Sequence, residues 1–406
     1  MEGLRFVDVF AGCGGFSLGL VEAGWRLAWA IEAHPTAFAT YERNILGRLN
    51  QSDQWSPEIV RKAWSIEDFV SRNAKAIDAA RGRVDLLVGG PPCQGFSTNG
   101  RRDPTDPRNR LVEAYLDLAS RLCPKFVMLE NVRGFTSLSH EAGGTFSDYV
   151  ASRLEGLGYD TWGEMVDASR WGVPQTRQRF FLIAARKGCL RGIDPHSRLR
   201  VNRREFLESR GLDLTGRTTA SDALEDLRTD RHGTKPDPEW GARGFLAATY
   251  RSRDARSAYA KLMRRGASRA PSDMRLPNHS IEVRGRFAQI LATCERGRTL
   301  SPSDRKRLGV RKRTTTPMAP ERPAPTVTTL PDDTIHYAEP RTMTVRENAR
   351  LQSFPDWFAF QGPYTSGGPG RRKACPRYTQ VGNAVPPLLA EALGEVVADL
   401  AMEASE

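Results

Sequence analysis

Cys93 stands in the run Pro91-Pro92-Cys93-Gln94-Gly95, directly after an apolar stretch, Val84-Asp85-Leu86-Leu87-Val88, and a Gly89-Gly90 break. A thiol on a tight turn at the end of a strand is where an α/β sheet enzyme carries a nucleophile. Proline fixes φ and glycine frees it, so the run reads as a defined loop and not as a helix start. A buried structural cysteine is the competing reading. Glu130-Asn131 closes a second apolar stretch and offers a carboxyl that can act as a general acid if burial raises its pKa; a helix cap or a surface pair is the alternative. In Gln175-Thr176-Arg177-Gln178-Arg179, alternate residues of an extended chain share a face. Arg177 and Arg179 can then point together at a carbonyl or phosphate oxygen, or sit in a salt-bridged surface. Phe10-Ala11-Gly12-Cys13-Gly14-Gly15 lets backbone approach a ligand closely, although Ser17 breaks the full dinucleotide fingerprint. Glu32, twenty residues after Gly12, is placed to accept from a ribose diol. The pair suits an adenosine-bearing cofactor, against the plainer reading of a packing turn.

The elements that must hold these groups alternate in type over the first 185 residues. Strands are expected at Leu4–Phe10, Leu27–Ile31, Val84–Val88, Phe126–Leu129 and Phe180–Ala185, and helices at Phe16–Ala23, Thr36–Arg48, Leu111–Leu122 and Tyr149–Leu157. Such alternation with short connections predicts a parallel, doubly wound α/β sheet with its ligand groups at the carboxyl ends of the strands. From about Lys187 to Lys373 periodicity weakens and Arg, Pro and Gly are frequent. A second, smaller, irregular domain is expected there. Near the end, Leu388, Leu389, Ala392, Leu393, Val396, Val397 and Leu400 form an apolar helical stripe, which needs a partner surface, most naturally the sheet of the first domain. The expected division is 1–187 for a catalytic and cofactor-binding domain, 188–375 for a recognition domain, and 376–406 for a segment returning to the first.

The net charge of +12 is unevenly spread. Between Arg186 and Arg313 there are 31 lysines and arginines against 15 aspartates and glutamates, while the remainder is slightly acidic. A near-neutral body with a basic insert is the footprint of a phosphate-binding module, or else of a solvated arginine-rich surface. No apolar run reaches the roughly 18–20 residues that span a bilayer, and the amino terminus lacks the pattern of a secretory signal. The six cysteines and six histidines are dispersed, with no metal-ligand spacing, so no metal is expected and a reducing cytoplasm is.

Six segments occur in order: FVDVFAGCGGFSLGL, VGGPPCQGFS, FVMLENVRGF, ASRWGVPQTRQRFFLIA, TVRENARLQSFPDWF and YTQVGNAVPPLLAEAL. Together they resemble the DNA (cytosine-5)-methyltransferase family. The resemblance implies a Rossmann-like fold binding S-adenosylmethionine and a target-recognition domain on double-stranded DNA. It implies that Cys93 is the nucleophile, Glu130 the group at cytosine N3 and the exocyclic amine, and Arg179 the donor to O2, with Arg177 in support. Phe10, Ala11, Gly12, Cys13, Gly14, Gly15, Glu32, Ser65, Ile66, Pro92, Leu111, Asn383 and Ala384 would line the cofactor pocket. Ser65 stands where the family often has an acid, and Ala33 offers no aromatic stack for adenine. The segment Asn348 to Pro355 would brace the basic domain.

The chemistry is coherent. Addition of a thiolate to cytosine C6 makes C5 nucleophilic, and groups at N3 and O2 stabilise the developing charge. A stacked base hides both faces, so the target must be flipped out. The polar run from Ser97 to Arg110 reads as a closing lid, with Ser97, Arg101, Arg102 and Arg108 near DNA. Arg264, Arg265, Arg311, Lys312 and Arg313 are further expected DNA contacts. A monomer is expected, in the cytoplasm and associated with the nucleoid, sharing its site with a possible cognate restriction endonuclease. The alternatives are a tRNA cytosine-5 methyltransferase, disfavoured by the absence of a Cys-Phe-Thr-x-x-Tyr run, a nicotinamide oxidoreductase, and a silent DNA-binding protein.

Overall fold

The computed structural model describes residues 3–92, 110–141, 143–214, 217–239, 241–365 and 374–404. The chain forms two units: residues 1–167, 178–204 and 387–406, and residues 168–177 with 205–386.

The first unit is built on a six-stranded sheet of order β2-β1-β3-β4-β7-β5. Its members are β1 (Arg5–Val9), β2 (Arg26–Ile31), β3 (Leu86–Gly89), β4 (Phe126–Asn131), β5 (Tyr159–Asp167) and β7 (Gln178–Arg186). The two-residue strand Gln175–Thr176, here β6, belongs to the second unit. Strands β1 to β4 pair in parallel, and their Phe, Val, Leu and Ile side chains are fully buried, as expected of strands covered on both faces. Helices α1 (Gly15–Glu22), α2 (Pro35–Tyr41), α3 (Ile66–Arg72), α4 (Ala74–Ala79), α5 (Arg110–Leu122) and α6 (Phe146–Gly156) provide the connections. The helix expected over Thr36–Arg48 is α-helical only to Tyr41 and then widens into a π-helical stretch, Glu42–Arg48.

Two expectations are corrected. The sheet is not wholly parallel: β7 runs antiparallel to both β4 and β5. Strand β5 was not anticipated, because its residues are mostly half-buried and carry charges at Asp160, Glu164 and Asp167, which blurs the two-residue alternation. The terminal helix, Pro387–Glu403, packs against α1 in this unit. Gly19 makes that crossing close, since a Cβ there would lie 2.4 Å from the Pro387 carbonyl oxygen. The Trp25 indole N–H donates to the Gly394 carbonyl at 2.9 Å.

The second unit has short two-stranded ladders, such as Thr234–Pro236 with Leu246–Ala248, and short helices. Its interior is unusually ionic. Arg350, fully buried, donates to Asp226 at 3.0 Å and Asp356 at 2.8 Å. Arg341 bridges Glu347 at 2.7 Å and Glu339 at 3.0 Å. Arg377 holds Asp273 at 2.7 Å. Each charge has a partner, the condition under which a buried charge is tolerated. Around the segment 344–356, these pairs tie together loops that have little sheet of their own.

Candidate active site

Pairing register brings the site together. Val9 is paired with Ile31 and with Gly89, and Gly89 with Leu129. The next residues, Phe10, Glu32, Gly90 and Glu130, therefore emerge side by side at one sheet edge. Because β7 is reversed, its beginning lies at this same edge, with Glu130 opposite Phe181 and Asn131 opposite Phe180. The reversal brings Arg179 to Glu130, Nε to Oε1, at 3.0 Å, with both side chains largely buried.

Gly89 and Gly90 each have a steric reason. A Cβ on Gly89 would lie 2.7 Å from the Tyr115 ring and 2.9 Å from the Val9 carbonyl oxygen. A Cβ on Gly90 would lie 3.1 Å from Glu130 Oε2, so this glycine leaves room for the carboxyl. Asn131 donates through Nδ2 to the Pro91 carbonyl at 3.4 Å, tethering the start of the loop that leads to Cys93. Cys93 itself lies outside the described residues, as do Ser97, Arg101, Arg102 and Arg108. Pro92 is half-buried at the last described position before them.

At the amino-terminal loop, Phe10, Gly12 and Gly14 have φ of 61°, 58° and 98°. Glycine adopts this region at little cost, whereas Phe10 is strained there, a feature that clusters at functional sites. Ala11 donates to the Ile31 carbonyl at 3.1 Å and Gly14 to the Ala11 carbonyl at 2.9 Å, and Gly15 starts α1. Glu32 braces the loop: Oε2 accepts from the Gly12 N–H at 2.9 Å and Oε1 from the His34 N–H at 2.7 Å. Burial pushes its carboxyl up, opposed by these two amides. Cys13 is buried. Ser65 caps α3, accepting from the Asp68 amide at 3.1 Å, and Ile66 is buried beside it. Leu111 is half-buried in the first turn of α5.

A group unremarked in the sequence lies beneath this loop. Asp8 is fully buried, and Oδ2 accepts from the Ser17 hydroxyl at 2.6 Å, while Ser17 also shares a hydrogen bond with the Tyr41 hydroxyl at 2.7 Å. Burial, with the Glu32 carboxylate adding to it, raises the Asp8 carboxyl to about 7, the Ser17 hydrogen bond opposing. Its run, Phe6 to Val9, reads as an ordinary buried strand; only a charged residue inside that strand hinted at a special environment.

Arg177 behaves differently from Arg179. It belongs to the second unit and is buried, its guanidinium donating to the carbonyls of Val327 at 3.1 Å and Gly382 at 3.0 Å. Asn383 and Ala384 follow Gly382 in that unit, Asn383 exposed. Of the basic residues expected at DNA, Arg264 donates to the Arg269 carbonyl at 2.8 Å and sits 3.5 Å from Asp356. Lys312 lies 2.7 Å from both Asp332 and Asp333. Arg265, Arg311 and Arg313 are exposed. Among the described residues there is no cluster of His, Cys, Asp and Glu suited to a metal, and no helix is long and apolar enough to cross a membrane.

The loop fits an adenosine-bearing cofactor. A methyl built on Gly12 would meet no atom within 4 Å, so backbone faces open space there, with the Glu32 carboxyl beside it as an acceptor for hydroxyls. The family description "C-5 cytosine-specific DNA methylase" matches residues 4–399. The chain is 31% identical over 97% of its length to the type II methyltransferase M.DdeI of Desulfomicrobium norvegicum, covering 88% of that protein. It is 32% identical over 96% of its length to M.XorII of Xanthomonas oryzae pv. oryzae, covering 83%. A prophage-encoded protein of E. coli, described as a DNA modification methyltransferase, superposes with a TM-score of 0.66 at 25% identity, over 98% of this chain and 99% of that one.

Proposed function

The chain belongs to the C-5 cytosine-specific DNA methylase family, and we propose that Cys93, Glu130 and Arg179 carry its reaction. The enzyme transfers a methyl group from S-adenosylmethionine to C5 of cytosine in DNA. Bound at the Phe10–Gly15 loop, the cofactor supplies a methyl on a positively charged sulfur. Glu32 accepts from the ribose hydroxyls, Pro92 and Leu111 close one side of the pocket, and Ser65 and Ile66 face the adenine; Asn383 and Ala384 are proposed cofactor residues from the family resemblance alone.

The observation that carries the residue roles is the Glu130–Arg179 pair, a carboxyl and a guanidinium 3.0 Å apart beside the strand that leads to Cys93. Cytosine presents O2, N3 and the exocyclic amine along one edge. A fixed donor next to a fixed carboxyl matches that order: Arg179 donates to O2, and Glu130 holds the proton at N3 and accepts from the amine. The Cys93 thiolate adds to C6 of the flipped base, C5 takes the methyl, and loss of the C5 proton expels the thiolate. Arg177 supports the site by fixing the backbone at Val327 and Gly382.

The first unit is the catalytic and cofactor-binding part, and the second recognises double-stranded target DNA. We further propose a monomer acting on nucleoid DNA in the cytoplasm, and the type II names of the relatives fit a cognate restriction endonuclease that shares its target sequence without being bound to it. Labelled methyl transfer from S-adenosylmethionine to plasmid DNA and to bulk tRNA tests the substrate. Incorporation into DNA alone is expected, and incorporation into tRNA alone would overturn the proposal.

A further inference from the structure

Within the second unit a cleft of about 820 Å³ is lined by the helix Ala220–Leu224, the turn Glu225–Leu227 and the turn Ser252–Asp254. Its walls carry six arginines against four acids, Asp222, Glu225, Asp226 and Asp254, and three of these acids have the following partners. Asp222 accepts from the Thr219 amide at 2.9 Å and hydroxyl at 2.7 Å. Glu225 accepts from Arg228 at 3.1 Å and the Tyr337 hydroxyl at 2.7 Å. Asp226 accepts from Arg350 and the Tyr250 hydroxyl, each at 3.0 Å.

The donors are not matched in the same way. Arg251, Arg253 and Arg256 are exposed, and none has an ion-pair or hydrogen-bond partner for its guanidinium among the described residues. His232, with a side chain only 6% exposed, has Nδ1 3.6 Å from Asp254 Oδ2 and a buried Nε2 with no hydrogen-bond partner. Three cations without partners and one buried, unsatisfied imidazole nitrogen, on a cleft where arginines already pair with Glu225 and Asp226, form an anion site. The three guanidiniums are exposed within six consecutive residues spanning the turn Ser252–Asp254, which suits a repeating polyanion.

We infer that this cleft takes backbone phosphates of the duplex DNA substrate, with Arg251, Arg253 and Arg256 as the phosphate donors and His232 as a fixed positioning donor. The inference rests on the DNA reading above and assigns the task to residues other than Arg264 and Lys312, which are held by carboxylates of their own unit. Phosphate contacts set register without reading bases, so the cleft governs affinity and not sequence choice.

The test uses the full chain carrying R251Q, R253Q and R256Q together, and separately the three arginines changed to lysine. Binding to a random-sequence duplex is measured over a salt series, with S-adenosylmethionine affinity as the check on folding. The glutamine variant should bind roughly 10- to 100-fold more weakly at low salt and lose up to about 2.7 from its log–log salt slope, near 0.9 per phosphate. The lysine variant should keep the slope. H232F should weaken binding several-fold with the slope retained. An unchanged slope in a glutamine variant that still binds S-adenosylmethionine overturns the inference. So does competition by pyrophosphate that the glutamine changes abolish while the DNA slope stays intact, which would make the cleft a site for free anions. Wild-type methyl transfer to DNA is measured in parallel. Its presence with an unchanged slope defeats only the cleft, and its absence defeats the DNA reading as well.

Discussion

Glu130 and Glu32 are carboxylates at the same strand-end edge with different partners, and they should fail differently. Glu130 faces Arg179, so Glu130→Gln should lower single-turnover rate by about 10²–10³ and leave S-adenosylmethionine affinity near wild type. Glu32 holds the amides of Gly12 and His34, so Glu32→Ala should weaken cofactor binding first. Calorimetry paired with rapid-quench rates separates the two, and equal losses in both parameters for Glu130→Gln would give it a structural role. Asp8 supplies a pH-dependent signature. Its carboxyl rises from an ordinary 3.8 to about 7 on folding, so between those values the folded protein holds a proton that the unfolded chain releases. This contribution is complete below about pH 4 and is lost as pH rises through about 7, a span on the order of 4 kcal/mol at most. Asp8→Asn should remove the loss, so its denaturation midpoint should gain on wild type between pH 5 and pH 8. Parallel midpoints over that range would show that Asp8 does not titrate there.

The elements position these groups through close approaches that only glycine allows. A Cβ at Gly90 would press on Glu130 Oε2 at 3.1 Å, so Gly90→Ala should reduce turnover while thermal stability changes little. At Gly19 the obstacles are backbone, the Pro387 carbonyl oxygen at 2.4 Å and the Glu391 nitrogen at 2.5 Å. Gly19→Val should displace the terminal helix and cost about 1–3 kcal/mol, read by chemical denaturation. How much of this was legible follows from the kind of signal each element leaves. Strands β2 to β4 carry continuous apolar runs ending in glycine or a polar residue, and the run of β1 is interrupted only by Asp8, so the residues at their carboxyl ends could be named from sequence. The reversal of β7 could not, because strand direction depends on pairing with β4 some fifty residues earlier, and an apolar run reads the same in either sense. Strand β5 was hidden by its charges. The approach of Arg179 to Glu130 is a consequence of that unread reversal, so the residues were identifiable but the reason for their meeting was not. Arg177, two positions away, has the same residue type and local spacing, yet its guanidinium goes to carbonyls 150 and 205 residues distant in sequence.

At the scale of the whole molecule, the charge surplus between Arg186 and Arg313 divides into cations spent on internal carboxylates and cations left exposed. A count of arginines cannot tell them apart, since that division depends on where Asp226, Asp332, Asp333 and Asp356 lie in the folded unit. Arg264 and Lys312 are in the first group, and Arg251, Arg253, Arg256, Arg265, Arg311 and Arg313 are exposed. Methyl transfer itself turns on chemistry at one cysteine. This is tested most directly by bisulfite sequencing of plasmid DNA recovered from cells expressing the wild-type chain and, in parallel, Cys93→Ser at matched soluble levels. A thiolate is available near neutral pH and an alkoxide is not. Wild type should therefore protect one cytosine at a fixed position within a short recurring sequence, and Cys93→Ser should protect none. Equal protection by both proteins, or no protected cytosine with wild type, would contradict the account.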